Sequence, residues 1–175
     1  MSDTDRNLQD ALLDSWQRGN TILLNLLGRL SPTELDQRAM EGSPTIAELF
    51  AHMHGVRLFW LRQTAPESAE GVARLVDQQG DAEVAARDPA RIEAALTASA
   101  RAASDAVRRH LEAGKPLSGP HASYDHPVLL LQHLLWHEGY HVGQIKLALK
   151  AAGRVFTEEE EEGSIWSVWR TETWA

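Results

Sequence analysis

Apolar residues return every three or four positions through four long stretches of this chain, and that period decides the fold class before any motif is considered. In the first stretch, about Asp5 to Leu30, Leu8, Leu12, Trp16, Leu23, Leu26, Leu27 and Leu30 keep the step. Such a period lines residues along one face of an α-helix, to be buried against other helices. The second stretch starts at Ser43-Pro44-Thr45, with Glu48 in its first turn, and carries Ile46, Leu49, Phe50, Met53, Val56, Phe59 and Trp60 to about Gln63. Pro66 ends it. The third opens on Asp88-Pro89, an N-cap followed by proline at the first helical position, and stops at Gly114-Lys115-Pro116. Its stripe is thin (Ile92, Ala95, Leu96, Ser99, Ala103, Ala106, Val107, Leu111), and such small side chains let a neighbouring helix come close. The fourth runs from His126 or Pro127 to Ala152 and is closed by Gly153.

The pieces between these stretches are uneven. Ser31-Pro32 marks a turn after the first. Ala65 to Asp88 is rich in glycine, alanine and acids, with a weak apolar patch at Val72, Leu75 and Val76, and reads as a long connection holding one short helix. A Gly/Pro/Ser/His loop leads to Asp125. The tail holds five consecutive glutamates, Glu158 to Glu162, read as a solvated run. Ile165, Trp166 and Trp169 then have helical spacing and predict a short fifth element covering the end of the bundle. Leu and Ala dominate while Val and Ile are sparse, so strands are not expected. The expectation is an all-α chain: one domain over residues 1–175, a four-helix bundle with a long connection between helices 2 and 3 and a short C-terminal helical element.

Bulk properties narrow the function. The formal net charge is −8, from 25 acidic and 17 basic residues, with no dense Lys/Arg cluster, which argues against a nucleic-acid partner. No apolar run of roughly 18 residues exists to span a membrane. The start, MSDTDRNLQD, is too polar for a typical signal peptide, so a cytoplasmic location is expected. The chain has no cysteine, hence no disulfide and no thiolate ligand or nucleophile.

The chemistry lies in the eight histidines, five of which fall between His121 and His141. His133, His137 and His141 step by four and form one line along the fourth helix, bordering the core. His52 sits among Leu49, Phe50, Met53, Val56 and Phe59 on the second helix and is expected to face inward or nearly so. One inward histidine is ordinarily a hydrogen-bonded core residue. Several on two helices demand more partners than an apolar bundle supplies, and a shared divalent ion satisfies them together. His54, two residues from His52, falls on a different face and is expected to be exposed. His121 and His126 flank the loop into the fourth helix and are expected at the mouth of the site. His133 is open to three roles: ligand in place of His52, hydrogen-bond donor behind a ligand, or substrate contact.

The string His137-Glu138-Gly139-Tyr140-His141-Val142-Gly143-Gln144-Ile145 resembles the H-x-x-x-H-x-G-Q-[IL] motif of the DinB/YfiT-like family. Thr45-Ile46-Ala47-Glu48-Leu49-Phe50-Ala51-His52 is similar to that family's earlier T-[IV]-x-E-L-x-x-H pattern. The resemblance runs from Leu8 to about Gly153. It implies an up-down-down-up four-helix bundle with a three-histidine centre, the ligands being His52, His137 and His141 and the metal nickel or zinc. It implies a helix packed closely over Gly143 and a structural role for Gln144. Three protein nitrogens leave coordination positions open, the pattern of a catalytic centre, where a water is acidified or a thiolate is held. The family includes enzymes that resemble transferases and isomerases using low-molecular-weight thiols; the expectation is a metal-dependent hydrolase or such a thiol-dependent transferase acting on a small molecule, and a homodimer is implied by resemblance alone.

Two other readings compete. H-E-x-x-H is also the zinc-peptidase motif, with Glu138 as general base and a downstream glutamate, here among Glu158 to Glu162, as third ligand. That reading leaves His52, Gly143 and Gln144 idle, and Glu138 is expected to face solvent. Alternatively the metal only stabilises an interaction protein, with Trp166, Trp169 and Trp174 at an interface.

Overall fold

The structure, a computed structural model, describes residues 3–75 and 87–170. Four long helices dominate: α1 (Asp3–Gly28), α2 (Ile46–Thr64), α3 (Pro89–Ala113) and α4 (Val128–Ala151). They pack as an all-α bundle in up-down-down-up order. Because α2 and α3 run the same way, the chain between them must return along the bundle, which is why that connection is long. Val76 of its apolar patch, and Trp174 of the tail, lie outside the described residues.

The helix ends follow local chemistry. Thr45 caps α2 by accepting from the Glu48 amide, and Glu48 accepts from the Thr45 amide in return, a reciprocal capping box. Asp88 accepts from the Ala90 amide ahead of Pro89, so α3 starts where expected. Gly114 ends it in the left-handed conformation at φ 62°. The loop that follows contains a small antiparallel hairpin, β1 (Leu117–Ser118) with β2 (Ser123–Tyr124), that the composition did not foretell. Leu117 is buried, and a Cβ on Gly119 would lie 1.6 Å from the Gln63 carbonyl oxygen, so the hairpin sits hard against the end of α2.

The glutamate run is a helix rather than a loose solvated segment. α5 (Glu158–Ser164) starts at a second capping box, Thr157 with Glu160. Acids at a helix N-terminus suit the macrodipole, and Lys146 pairs with Glu161 while Arg154 bridges Glu34 and Glu160. Ile165 beyond it is buried, but Trp166 and Trp169 remain substantially exposed and cover the bundle only in part. Leu8 and Phe59 are exposed, so the expected stripes of α1 and α2 hold through Trp16, Leu23, Leu26, Leu27 and Leu30 and through Ile46, Leu49, Phe50 and Met53 but drift at one end of each helix. Leu13 in α1, and Leu58 and Leu61 in α2, take the core places.

The interior falls into two apolar halves. One holds Leu26, Phe50, Leu96 and Ile145; the other holds Trp16, Leu61, Val107 and Leu134. Close packing of α3 in the second half rests on Ala100, Ala103 and Ala106, all buried. Between the halves each helix contributes a buried polar side chain: Asn20, Arg57, Ser99 and Glu138.

Candidate metal centre

Two local structures bring three imidazoles together. The capping box at Thr45 sets the phase of α2, Ile46 and Leu49 turn into the core, and His52 follows almost two turns along. On α4, His137 and His141 are one turn apart, with ring centroids 4.4 Å from each other. His52 Nε2 lies 3.2 Å from His137 Nε2, and His141 Nε2 lies 3.0 Å from it. Potential ligand atoms of all three residues fall within 4.8 Å of one another. Two nitrogens on one tetrahedral zinc, each at its usual bond length, stand about 3.3 Å apart, so two edges of the triangle already have ligand spacing.

The tautomers fit a cation. Gln144 Nε2 donates to the Tyr140 hydroxyl at 3.1 Å, which turns Gln144 Oε1 to His141 Nδ1 at 2.7 Å. Nδ1 therefore carries the proton, and the Nε2 lone pair points into the cluster. His137 Nδ1 is buried without a hydrogen-bond partner. Three neutral imidazoles cannot satisfy so many converging nitrogens among themselves, whereas a shared cation engages all three Nε2 atoms. Burial, then the charges that His141, His52 and His133 would carry, hold the pKa of His137 down to about 4. Burial and then His141 lower that of His52 as well. His137 and His52 are thus neutral near pH 7, as coordination of a cation requires.

Other histidines stand apart from this triangle. His133 Nδ1 and the Tyr124 hydroxyl share a hydrogen bond at 2.8 Å, and the His133 ring meets Trp60 edge-on at 5.1 Å between centroids. Burial pushes the Tyr124 hydroxyl up to about 12, so it stays protonated. His52, not His133, completes the cluster. His54 corrects the expectation of exposure: it is 1% exposed, and its Nε2 meets the Ala73 carbonyl at 2.8 Å. His121 and His126 are exposed, and neither lines the cavity beside His52.

Glu138 does not face solvent either. It is 3% exposed, and Arg57 grips it with both prongs, Nε to Oε1 at 2.6 Å and Nη2 to Oε2 at 2.9 Å. Arg57 Nη1 adds Asn20 Oδ1, the Leu96 carbonyl and Ser99 Oγ, while Trp16 lies 4.8 Å below the guanidinium. A carboxylate so engaged has no free oxygen for a general base. No glutamate of α5 joins the histidine cluster, so both props of the peptidase reading fall away. Arg57 went unnoticed in the sequence although a signal exists: it continues the four-residue step from Met53 to Leu61, a charge in a core column. Two carried-over roles also change. Nothing packs within 4 Å of a Cβ built on Gly143, so no helix approaches there, and Gln144 orients a cluster histidine rather than serving only the fold.

Comparison with known proteins agrees with this geometry. The DinB family model matches residues 1–166. No curated protein and no solved structure matches the chain.

Proposed function

Because the chain belongs to the DinB family, we propose that His52, His137 and His141 hold one divalent ion, zinc or nickel, through Nε2, and that the protein is a metal-dependent hydrolase or a transferase of low-molecular-weight thiols acting on a small molecule. One observation carries the reading: three imidazole nitrogens converge with ligand spacing, and no fourth His, Asp or Glu joins them among the described residues. Such an incomplete shell marks catalytic rather than purely structural sites. A divalent ion there supplies Lewis-acid chemistry to whatever occupies its open side. The chain's own residues prepare for it. Gln144 holds His141 in the ligating tautomer, and the Arg57–Glu138 pair ties α2 to α4 beside His137.

Metal analysis of untagged protein tests the ligand set. Wild type is expected to carry about one ion per chain, and His137→Ala/His141→Ala to carry none. Equal, sub-stoichiometric metal in both ends the proposal. Turnover separates the two chemistries: a transferase works only with an added low-molecular-weight thiol, a hydrolase without one. A closed shell in metal-edge absorption, with a fourth protein ligand, would leave only a stabilising metal.

A further inference from the structure

A cavity of about 390 Å³ runs along the outer side of α2 between His52 and the start of the α2–α3 connection. Its size suits a small organic ligand. Gly55 forms part of its wall in mid-helix, where glycine costs about 1 kcal/mol relative to alanine. No atom lies within 4 Å of the position a Cβ would take there, so close packing does not explain the glycine, and a side chain would project into the space. Val56, Phe59 and Leu75 make the wall largely apolar, with Phe59 half exposed.

Charge is distributed unevenly around this space. Arg62 and Arg74 both line it, and neither has an ion-pair partner among the described residues. The one carboxylate among the described lining residues, Glu48, is held by the Thr45 amide at 2.7 Å in the capping box, towards the N-terminal end of α2. In a chain of net charge −8, two guanidiniums without an ion pair among the described residues, beside an apolar wall, are a local reversal of sign. Guanidinium groups favour planar carboxylates, which they bind bidentately. His52 and Arg62 are ten residues apart, about 15 Å along the helix, and the long arginine side chain shortens the gap. His52 and Arg62 thus stand at opposite ends of the space, and Arg74 lines its side, next to Ala73, whose carbonyl meets His54.

We propose that this cavity seats an amphipathic small molecule whose carboxylate is held by Arg62, with Arg74 adding positive charge from the side wall, whose apolar body lies over Gly55 against Phe59, and whose far end is presented at His52. The proposal rests on the metal-centre reading only for what happens at that far end; the binding itself is independent of it.

Calorimetric titration tests it with phenylacetate, 3-phenylpropionate and 4-phenylbutyrate, each against its neutral amide, on wild-type protein with the metal content measured in parallel. At least one acid is expected to bind tenfold or more tightly than its amide, also in His137→Ala, where metal coordination of the carboxylate is removed. Arg62→Gln/Arg74→Gln is expected to erase the preference for acid over amide. Gly55→Leu is expected to weaken acid and amide alike at least tenfold, with helical circular dichroism and metal content unchanged. Absence of binding by all three acids, equal binding of acid and amide, or unchanged binding in the exposed double-arginine variant would overturn it. Failure of the metal reading alone would show as absent metal with acid binding intact.

Discussion

Gln144 shows how much one amide can decide. It is the partner of His141 Nδ1, and its own orientation is set by Tyr140. Replacing it by leucine keeps the size but removes the acceptor, and loss of such a partner lowers metal affinity roughly 10–100-fold. Competition with a chromophoric zinc chelator should show that loss, with the circular dichroism spectrum unchanged. His137 makes a second prediction. Its pKa in the folded, metal-free protein is about 4, below the usual histidine value of 6.5. The unfolded chain therefore binds more protons between these values, and stability rises with pH across them. Urea unfolding of metal-free protein should find this contribution complete above pH 6.5 and lost as pH falls towards 4. A His137→Ala variant should show a shallower slope. His137 and His141 were legible in the sequence because their four-residue step is local, whereas His52, 85 residues from His137, was singled out by the family resemblance. The Gln144 contact was not legible, since whether an amide meets a ligand's back nitrogen depends on rotamers that spacing leaves open.

At the scale of elements, the buried bridge between α2 and α4 does what the H-E-x-x-H pattern seemed to assign to catalysis. Removing one partner leaves an uncompensated charge in the interior, and the cost of that is about 3–5 kcal/mol. Arg57→Met should lower the denaturation midpoint accordingly, whereas Arg57→Met/Glu138→Leu should regain most of the loss. If the double variant is as unstable as the single one, the bridge is not the reason these residues are paired. The hairpin after α3 makes a similar claim. Gly119→Ala must push β1 and β2 away from the Gln63 carbonyl, and overpacking of this kind costs about 1–3 kcal/mol. Thermal unfolding measures it. The helices and most of their caps were readable because Thr45, Asp88-Pro89 and Gly114 act within a turn of themselves. The hairpin and the drift at the ends of the α1 and α2 stripes were not, because Leu117, Leu13 and Leu58 owe their burial to residues distant in sequence.

For the molecule as a whole, the long α2–α3 connection has a consequence of another kind. The buried Arg57–Glu138 network and the histidine cluster are both divided by it. Asn20, Arg57 and His52 lie before the connection, and Ser99, Glu138, His137 and His141 lie after it. A chain cut there would yield two helical hairpins, each owning half of a bridge and part of a ligand set. Cleaved between residues 80 and 81 and expressed as two polypeptides, they should reassemble. An ion that binds only the assembled form tightens association by about a hundredfold when its free concentration is a hundred times its dissociation constant. Fluorescence titration of one half with the other, with and without zinc, measures the effect, and identical curves would contradict it. The bundle is in this sense a split sensor already wired together, in which a single loop of chain replaces the concentration that two free halves would need to find each other.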